Sequence, residues 1–101
     1  MIRHIVMFQL ASTDPVQREA QIEGARAALV GLVGVVPGLR RLEVHANVLD
    51  DDRNSDFVID ADFDDLAALE TYADHPEHLK AVDYIGTIRK DGTRAAIDFE
   101  V

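Results

Sequence analysis

Three features of the chain predict an α+β fold, an antiparallel four-stranded sheet with helices on one face in the order β-α-β-β-α-β. Apolar and polar residues alternate in four short stretches, two longer stretches repeat apolar residues at helical spacing, and Pro, Gly, Asp and Asn cluster between them. The 101 residues, 48% hydrophobic and 29% charged, suit one domain over residues 1–101 with a two-layer core.

The first strand covers Ile2 to Leu10. Ile2, His4, Val6, Phe8 and Leu10 share its more apolar face, against Arg3, Ile5, Met7 and Gln9 on the other. Ser12-Thr13-Asp14-Pro15 then starts a helix, with Asp14 as N-cap, Pro15 at the first helical position and Gln17 three residues after the cap. Ile22, Ala25, Leu29, Leu32, Val33 and Val36 form its apolar stripe, and Pro37-Gly38 is its stop. Gly31 and Gly34 each cost that helix about 1 kcal/mol relative to Ala, which makes its last turns the weakest.

Leu42, Val44, Ala46 and Val48 alternate with Glu43, His45 and Asn47 as a second strand. The polar connector Leu49 to Ser55 leads to a third, with Phe57, Ile59, Ala61 and Phe63 opposite Asp56, Val58, Asp60 and Asp62. So short a link favours an antiparallel hairpin. Asp64 or Asp65 opens a helix through Leu66, Leu69, Tyr72 and Ala73, and Pro76 interrupts it because a proline disfavours helical geometry in the preceding residue. A further helix runs from Pro76 to about Arg89. Asp91-Gly92 turns the chain into a last strand, Thr93 to Val101, with Ala95, Ile97, Phe99 and Val101 on one face.

This order fits a ferredoxin-like sheet with helices on one face. The other face is mixed: Ile5, Met7, Val58 and Ala96 are apolar, while Glu43, His45, Asp56, Asp60 and Asp98 are polar. Apolar residues on an open face suggest covering by a second subunit.

Charge excludes several functions. Nineteen acids against ten Lys plus Arg give a formal charge of -9, and no basic patch exists to hold a nucleic acid or an anionic membrane. Aspartates 50, 51, 52, 56, 60, 62, 64 and 65, against Arg53 alone, carry most of that charge; they read as a solvated loop and face, since the spacing of a calcium loop is missing. Asp56, Asp60 and Asp62 share the face a partner subunit should approach, so either they are paired or hydrated there, or they repel. Without cysteine there is no disulfide, thiolate metal site or cysteine nucleophile. No stretch nears the roughly 20 apolar residues of a membrane span, and Met1-Ile2-Arg3-His4 runs straight into a strand, so a soluble cytoplasmic protein is expected.

Histidines are the only side chains here that titrate near neutrality, so acid-base chemistry should involve them. His45 reads as an ordinary polar-face residue. His4 is the one polar member of the first strand's apolar face and points between sheet and helices, as a core histidine or a pocket residue. Tyr72-Ala73-Asp74-His75-Pro76-Glu77-His78 is the densest polar cluster beside the core stripe. With Pro76 at the first helical position, His75 becomes the N-cap. At about 100° per residue His78 falls about 40° from Val82, bordering the core. The helix dipole there favours neutral imidazole, while Asp74 and Glu77 favour the cation. Tyr72 shares the stripe of Leu69, and its hydroxyl needs a partner, a histidine or a ligand's carbonyl oxygen.

These residues resemble a known family. His4-Ile5-Val6-Met7-Phe8, Val36-Pro37-Gly38-Leu39, Ser55-Asp56-Phe57-Val58, the Tyr72 to His78 run with its His-Pro-x-His core, and Ile97-Asp98-Phe99 look like the stress-responsive dimeric α/β-barrel (Dabb) family over essentially the whole chain. The resemblance implies a ferredoxin-like homodimer whose two sheets close into a barrel. Its best-understood enzymes are similar to olivetolic acid cyclase, a polyketide cyclase that promotes an intramolecular aldol condensation without a cofactor. By that likeness Tyr72 would orient or polarise a carbonyl, His78 would be the general base, and His4 and His75 would line or support the site.

Two readings follow. One is a cofactor-free homodimeric enzyme acting on a small, largely apolar carbonyl compound through His78 and Tyr72; the other is a non-catalytic stress-associated or ligand-binding dimer. A third uses His75 and His78, three residues apart, with His4 as a three-histidine metal site.

Overall fold

The computed structural model describes residues 1–101. Its elements are β1 (Ile2–Phe8), α1 (Pro15–Leu29), β2 (Leu39–Ala46), β3 (Phe57–Phe63), α2 (Leu66–Asp74), α3 (Pro76–Ile88) and β4 (Ala95–Glu100), with a 3-10 turn at Val30–Leu32. The four strands form one antiparallel sheet in the order β2-β3-β1-β4. This is the ferredoxin-like arrangement, with the crossover from β1 to β2 leaving room for β3 between them.

Local chemistry explains the boundaries. The Asp14 carboxylate accepts from the Gln17 amide at 3.2 Å and caps α1, and Asp65 caps α2 by accepting from Ala68 at 2.8 Å. α1 ends at Leu29, earlier than the spacing predicts, and the chain continues through the 3-10 turn. Gly31 and Gly34 follow at once, and Gly34 has φ of +88°, which only glycine takes easily. Leu32 and Val36 still reach the core, whereas Val33 is exposed. β2 starts at Leu39 and stops at Ala46, so Val48, expected in the strand, lies fully in solvent.

The core lies between the helices and one sheet face. Phe57, Phe63, Leu29 and Val36 are its most completely buried large side chains. α1 and α3 touch closely enough that a Cβ on Gly24 would overlap the Tyr84 hydroxyl, which donates to the Gln21 carbonyl at 3.1 Å. α3 rests mainly on α1 and α2, leaving space between itself and the β1–β4 side of the sheet.

The last strand corrects the sequence reading. Ile97 lies opposite Ile5 and Asp98 opposite His4. Opposed residues of an antiparallel pair share a face, so Ala95, Ile97 and Phe99 lie on the open face with Ile5 and Met7, while Ala96 and Asp98 lie on the helix side. Alternation reveals which residues share a face but not which face it is; only the register decides that.

The open face therefore divides in two. Its β1–β4 half carries Ile5, Met7, Ile97 and Phe99, the last two exposed by 57% and 38%, with Val58 of β3 bordering it. Its β2–β3 half is an ion-pair network with Asp62 at its centre: Arg3 donates to Asp62 at 2.9 Å, and Arg41 donates to Asp62 at 3.0 Å and to Asp60 at 2.5 Å. Asp60 and Asp62 are thus paired within the chain. Asp56 leaves that face and accepts from Arg18 of α1 and from the Leu10 amide. No helix is long and apolar enough to cross a membrane.

The Arg3 guanidinium, followed by that of Arg41, holds the Asp62 carboxyl well below the usual carboxylate range. A depressed folded-state value means stability that is present above the ordinary 3.8 and lost as pH falls beneath it. Asp62→Asn should lower stability by about 1–3 kcal/mol at neutral pH and flatten the acid limb, read by urea unfolding at fixed protein concentration across pH 2 to 7. Gly24→Ala should destabilise although Ala favours a helix by about 1 kcal/mol, because the overlap with Tyr84 outweighs that gain; thermal unfolding alongside Gly24→Ala/Tyr84→Phe measures the steric part.

Candidate functional site

α3 stands off the sheet over a cavity of about 340 Å³, within the range of small-molecule sites. Val6, Phe8, Leu29, Ile59, Leu69, Ala81, Val82 and Ile85 make most of its wall, and His4, Tyr72 and His78 bring polar ring groups to it. The backbone break at His75–Pro76 brings the last two together. Tyr72 lies in the last turn of α2 and His78 in the first turn of α3, with their ring centroids 3.9 Å apart and the planes tilted by 35°.

The hydrogen bonds assign each ring a state. His78 Nδ1 lies 3.2 Å from the Ala73 carbonyl oxygen, which only accepts, so Nδ1 carries the proton and Nε2 keeps a free lone pair in the neutral ring. Burial pushes the His78 imidazole below its ordinary 6.5; the bond to Ala73 opposes this, and the nearby His4 and His75 add to it. Desolvation is the largest of these effects. Tyr72 is 3% exposed and its hydroxyl has no protein partner, while burial raises its phenol well above the ordinary value. It faces the cavity as a protonated donor.

β1 aims His4 at the same space, between Phe63 and Tyr72, with ring centroids 6.3 and 6.4 Å away. Its Nδ1 meets the Asp98 carboxylate at 2.5 Å, leaving Nε2 as the other ring nitrogen available to the cavity. Asp98 went unrecognised in the sequence because alternation placed it on the open face. The lone acid between Ile97 and Phe99 was the available signal, but its meaning needed the register.

His75 does not line the cavity. Its Nδ1 accepts from the Glu77 amide at 3.1 Å, which makes it the N-cap of α3, as Pro76 implied, and leaves it supporting the site through the helix start. His4, His75 and His78 consequently do not converge, and no group of three or more His, Asp or Glu is placed to hold a metal ion. The three-histidine reading is therefore corrected: His75 is held at the start of α3 as its N-cap and stays off the cavity that His4 and His78 line. His45 pairs with Glu43 on the open face at 2.8 Å.

A larger groove of about 940 Å³ opens between α1 and the β2–β3 connector. Its lining includes Glu19, Glu23, Asp50, Asp51 and Asp52 but no histidine or tyrosine, so it lacks the acid-base set of the smaller cavity.

Similar proteins agree with this architecture. An uncharacterized protein of Streptomyces coelicolor is 37% identical over 83 residues, covering 81% of this chain and 84% of its own. A dimeric protein of unknown function with a ferredoxin-like fold from Bacteroides fragilis superposes with a TM-score of 0.86 at 27% identity, covering 99% of this chain and 95% of that one. A dimeric ferredoxin-like protein of unknown function from Thermobifida fusca reaches a TM-score of 0.79 at 29% identity, over 99% and 90% of the two chains. Since the model of the Stress Responsive A/B Barrel Domain matches residues 2–101, the chain belongs to the Dabb family.

Proposed function

We propose that this protein is a homodimer that binds a small carbonyl compound in the cavity under α3 and performs cofactor-free proton transfer on it. One observation carries the reading: a histidine with a free Nε2 and a depressed tendency to protonate lies against an unpartnered, protonated tyrosine in an apolar cavity.

His78 Nε2 removes a proton from the carbon beside the carbonyl. The developing enolate oxygen takes a hydrogen bond from the Tyr72 hydroxyl, strengthened by the mainly apolar wall around it. In a substrate with a second carbonyl, the enolate carbon attacks that carbonyl carbon, and the resulting alkoxide recovers the proton from the His78 imidazolium. The sum is an aldol cyclisation with no net gain or loss of atoms. His4, oriented by Asp98, binds a polar group of the same ligand. The dimer forms through the open sheet face, where Ile97 and Phe99 are exposed and the neighbouring charges are already paired.

A non-catalytic ligand-binding dimer is the second reading. It is favoured by the backbone bonds of His75 and His78, which make the His-Pro-x-His run a device for joining two helices.

The two readings diverge in a deuterium-exchange experiment on a methyl ketone such as 2-heptanone, followed by NMR. Catalysis predicts that His78→Gln slows exchange by about 10²- to 10⁴-fold and Tyr72→Phe slows it less, while both variants keep their unfolding midpoint within a few degrees. Exchange should be flat above pH 6.5 and decline below it, because the lowered value keeps His78 neutral until more acidic pH. A wild type no faster than buffer, with His78→Gln strongly destabilised, would favour the structural reading. Ile97→Asp should yield a monomer in sedimentation equilibrium, since it places a carboxylate in the apolar half of the interface.

A further inference from the structure

The arginines of this chain divide into two sets. Arg3, Arg18, Arg26, Arg40, Arg41 and Arg53 each hold at least one carboxylate. Arg89 and Arg94 hold none, and both line the cavity that contains Tyr72 and His78. In a chain with 19 acids and a formal charge of -9, carboxylate partners are plentiful, so two unpaired guanidiniums at one cavity stand apart from the rest.

Their placement is polarised. Arg89 caps the end of α3, and its guanidinium carbon lies 5.7 Å from the centroid of Phe8, a contact that orients the fork without neutralising it. Arg94 precedes β4, one residue beyond the pair of Met7 with Ala95, at the same end of β1 as Phe8. His4 lies about 13 Å back along β1, and His78 lies about 16 Å from Arg89 along α3. One end of the cavity thus carries the acid-base groups, the other carries two free guanidiniums, and the wall between is apolar.

A guanidinium fork matches the paired oxygens of a carboxylate or phosphate, and an apolar wall suits a hydrocarbon span. We propose that the ligand of this cavity is an elongated carbonyl compound with an anionic group, a carboxylate or phosphate, at the end remote from the reacting carbonyl, selected by Arg89 and Arg94. This rests on the cavity being a carbonyl site and adds the charge and length of its occupant. It also accounts for how so acidic a protein would admit an anion: two guanidiniums without carboxylate partners supply positive charge at that end of the cavity.

The test compares 8-oxononanoate with 2-nonanone, a methyl ketone of equal length in which a methyl replaces the carboxylate, by titration calorimetry on the intact protein. The acid should bind at least about tenfold tighter, with the preference shrinking as salt is raised. Arg94→Gln, at an exposed position, and Arg89→Gln should each cost the acid about tenfold and leave the ketone unchanged. Monooctyl phosphate serves as the second anionic probe: tighter binding than the acid assigns the site to phosphate, and weaker binding assigns it to carboxylate. Equal affinity for acid and ketone, or an acid affinity untouched in both variants, overturns the proposal while the carbonyl site stands. Failure of all three compounds to bind overturns both.

Discussion

The pairing of β4 with β1 is the constraint on which the rest of the molecule turns. By setting Asp98 opposite His4 it provides the carboxylate that orients the imidazole on the helix side of the sheet. By the same step it sets Ile97 opposite Ile5 and so concentrates apolar surface on half of the open face. It also brings Arg94 to the cavity wall. A slip of one residue would send Asp98 to the open face and Ile97 towards the helices, disrupting the apolar patch and the cavity wall at once.

Second in importance is the break between α2 and α3. A continuous helix would carry Tyr72 and His78 on one rod, six residues apart and on different faces. Pro76 denies the preceding residue helical geometry, and His75 takes an extended conformation with φ -67° and ψ 133° while its ring caps the new helix. The two helices then meet at an angle that stacks the Tyr72 and His78 rings. The His78 bond to Ala73 fixes the tautomer across the same break. Structure and chemistry here share atoms, which is why His-Pro-x-His reads equally well as a cap or as a site.

Charge follows the same economy. Acid excess gives most arginines a carboxylate, and those pairs do distinct work: Arg41 and Arg3 neutralise the sheet face, while Arg18 joins α1 to Asp56 at the start of the β3 side. Arg26 instead reaches the Val44 carbonyl at the edge of β2 at 2.8 Å, covering backbone that a lone edge strand would leave open. Two arginines remain without such work, and both line the cavity of Tyr72 and His78.

Much of this was legible in the residue pattern. Short-range rules place element order, the Asp14 and His75 caps, and the helix break, because each depends on atoms a few residues apart. They also single out His4, Tyr72 and His78 as bordering an apolar stripe, which does not distinguish a filled core from a cavity wall. What the pattern left open depends on distant segments. The face of β4, the role of Asp98, the pairing of Asp60 and Asp62, and the state of His78 all rest on strand register and burial. Alternation repeats every two residues and is blind to a reversal of faces. Sequence alone therefore determined which residues stand together on each element, and the tertiary structure decided which elements they face, because register and desolvation arise only when the sheet closes and α3 settles over it.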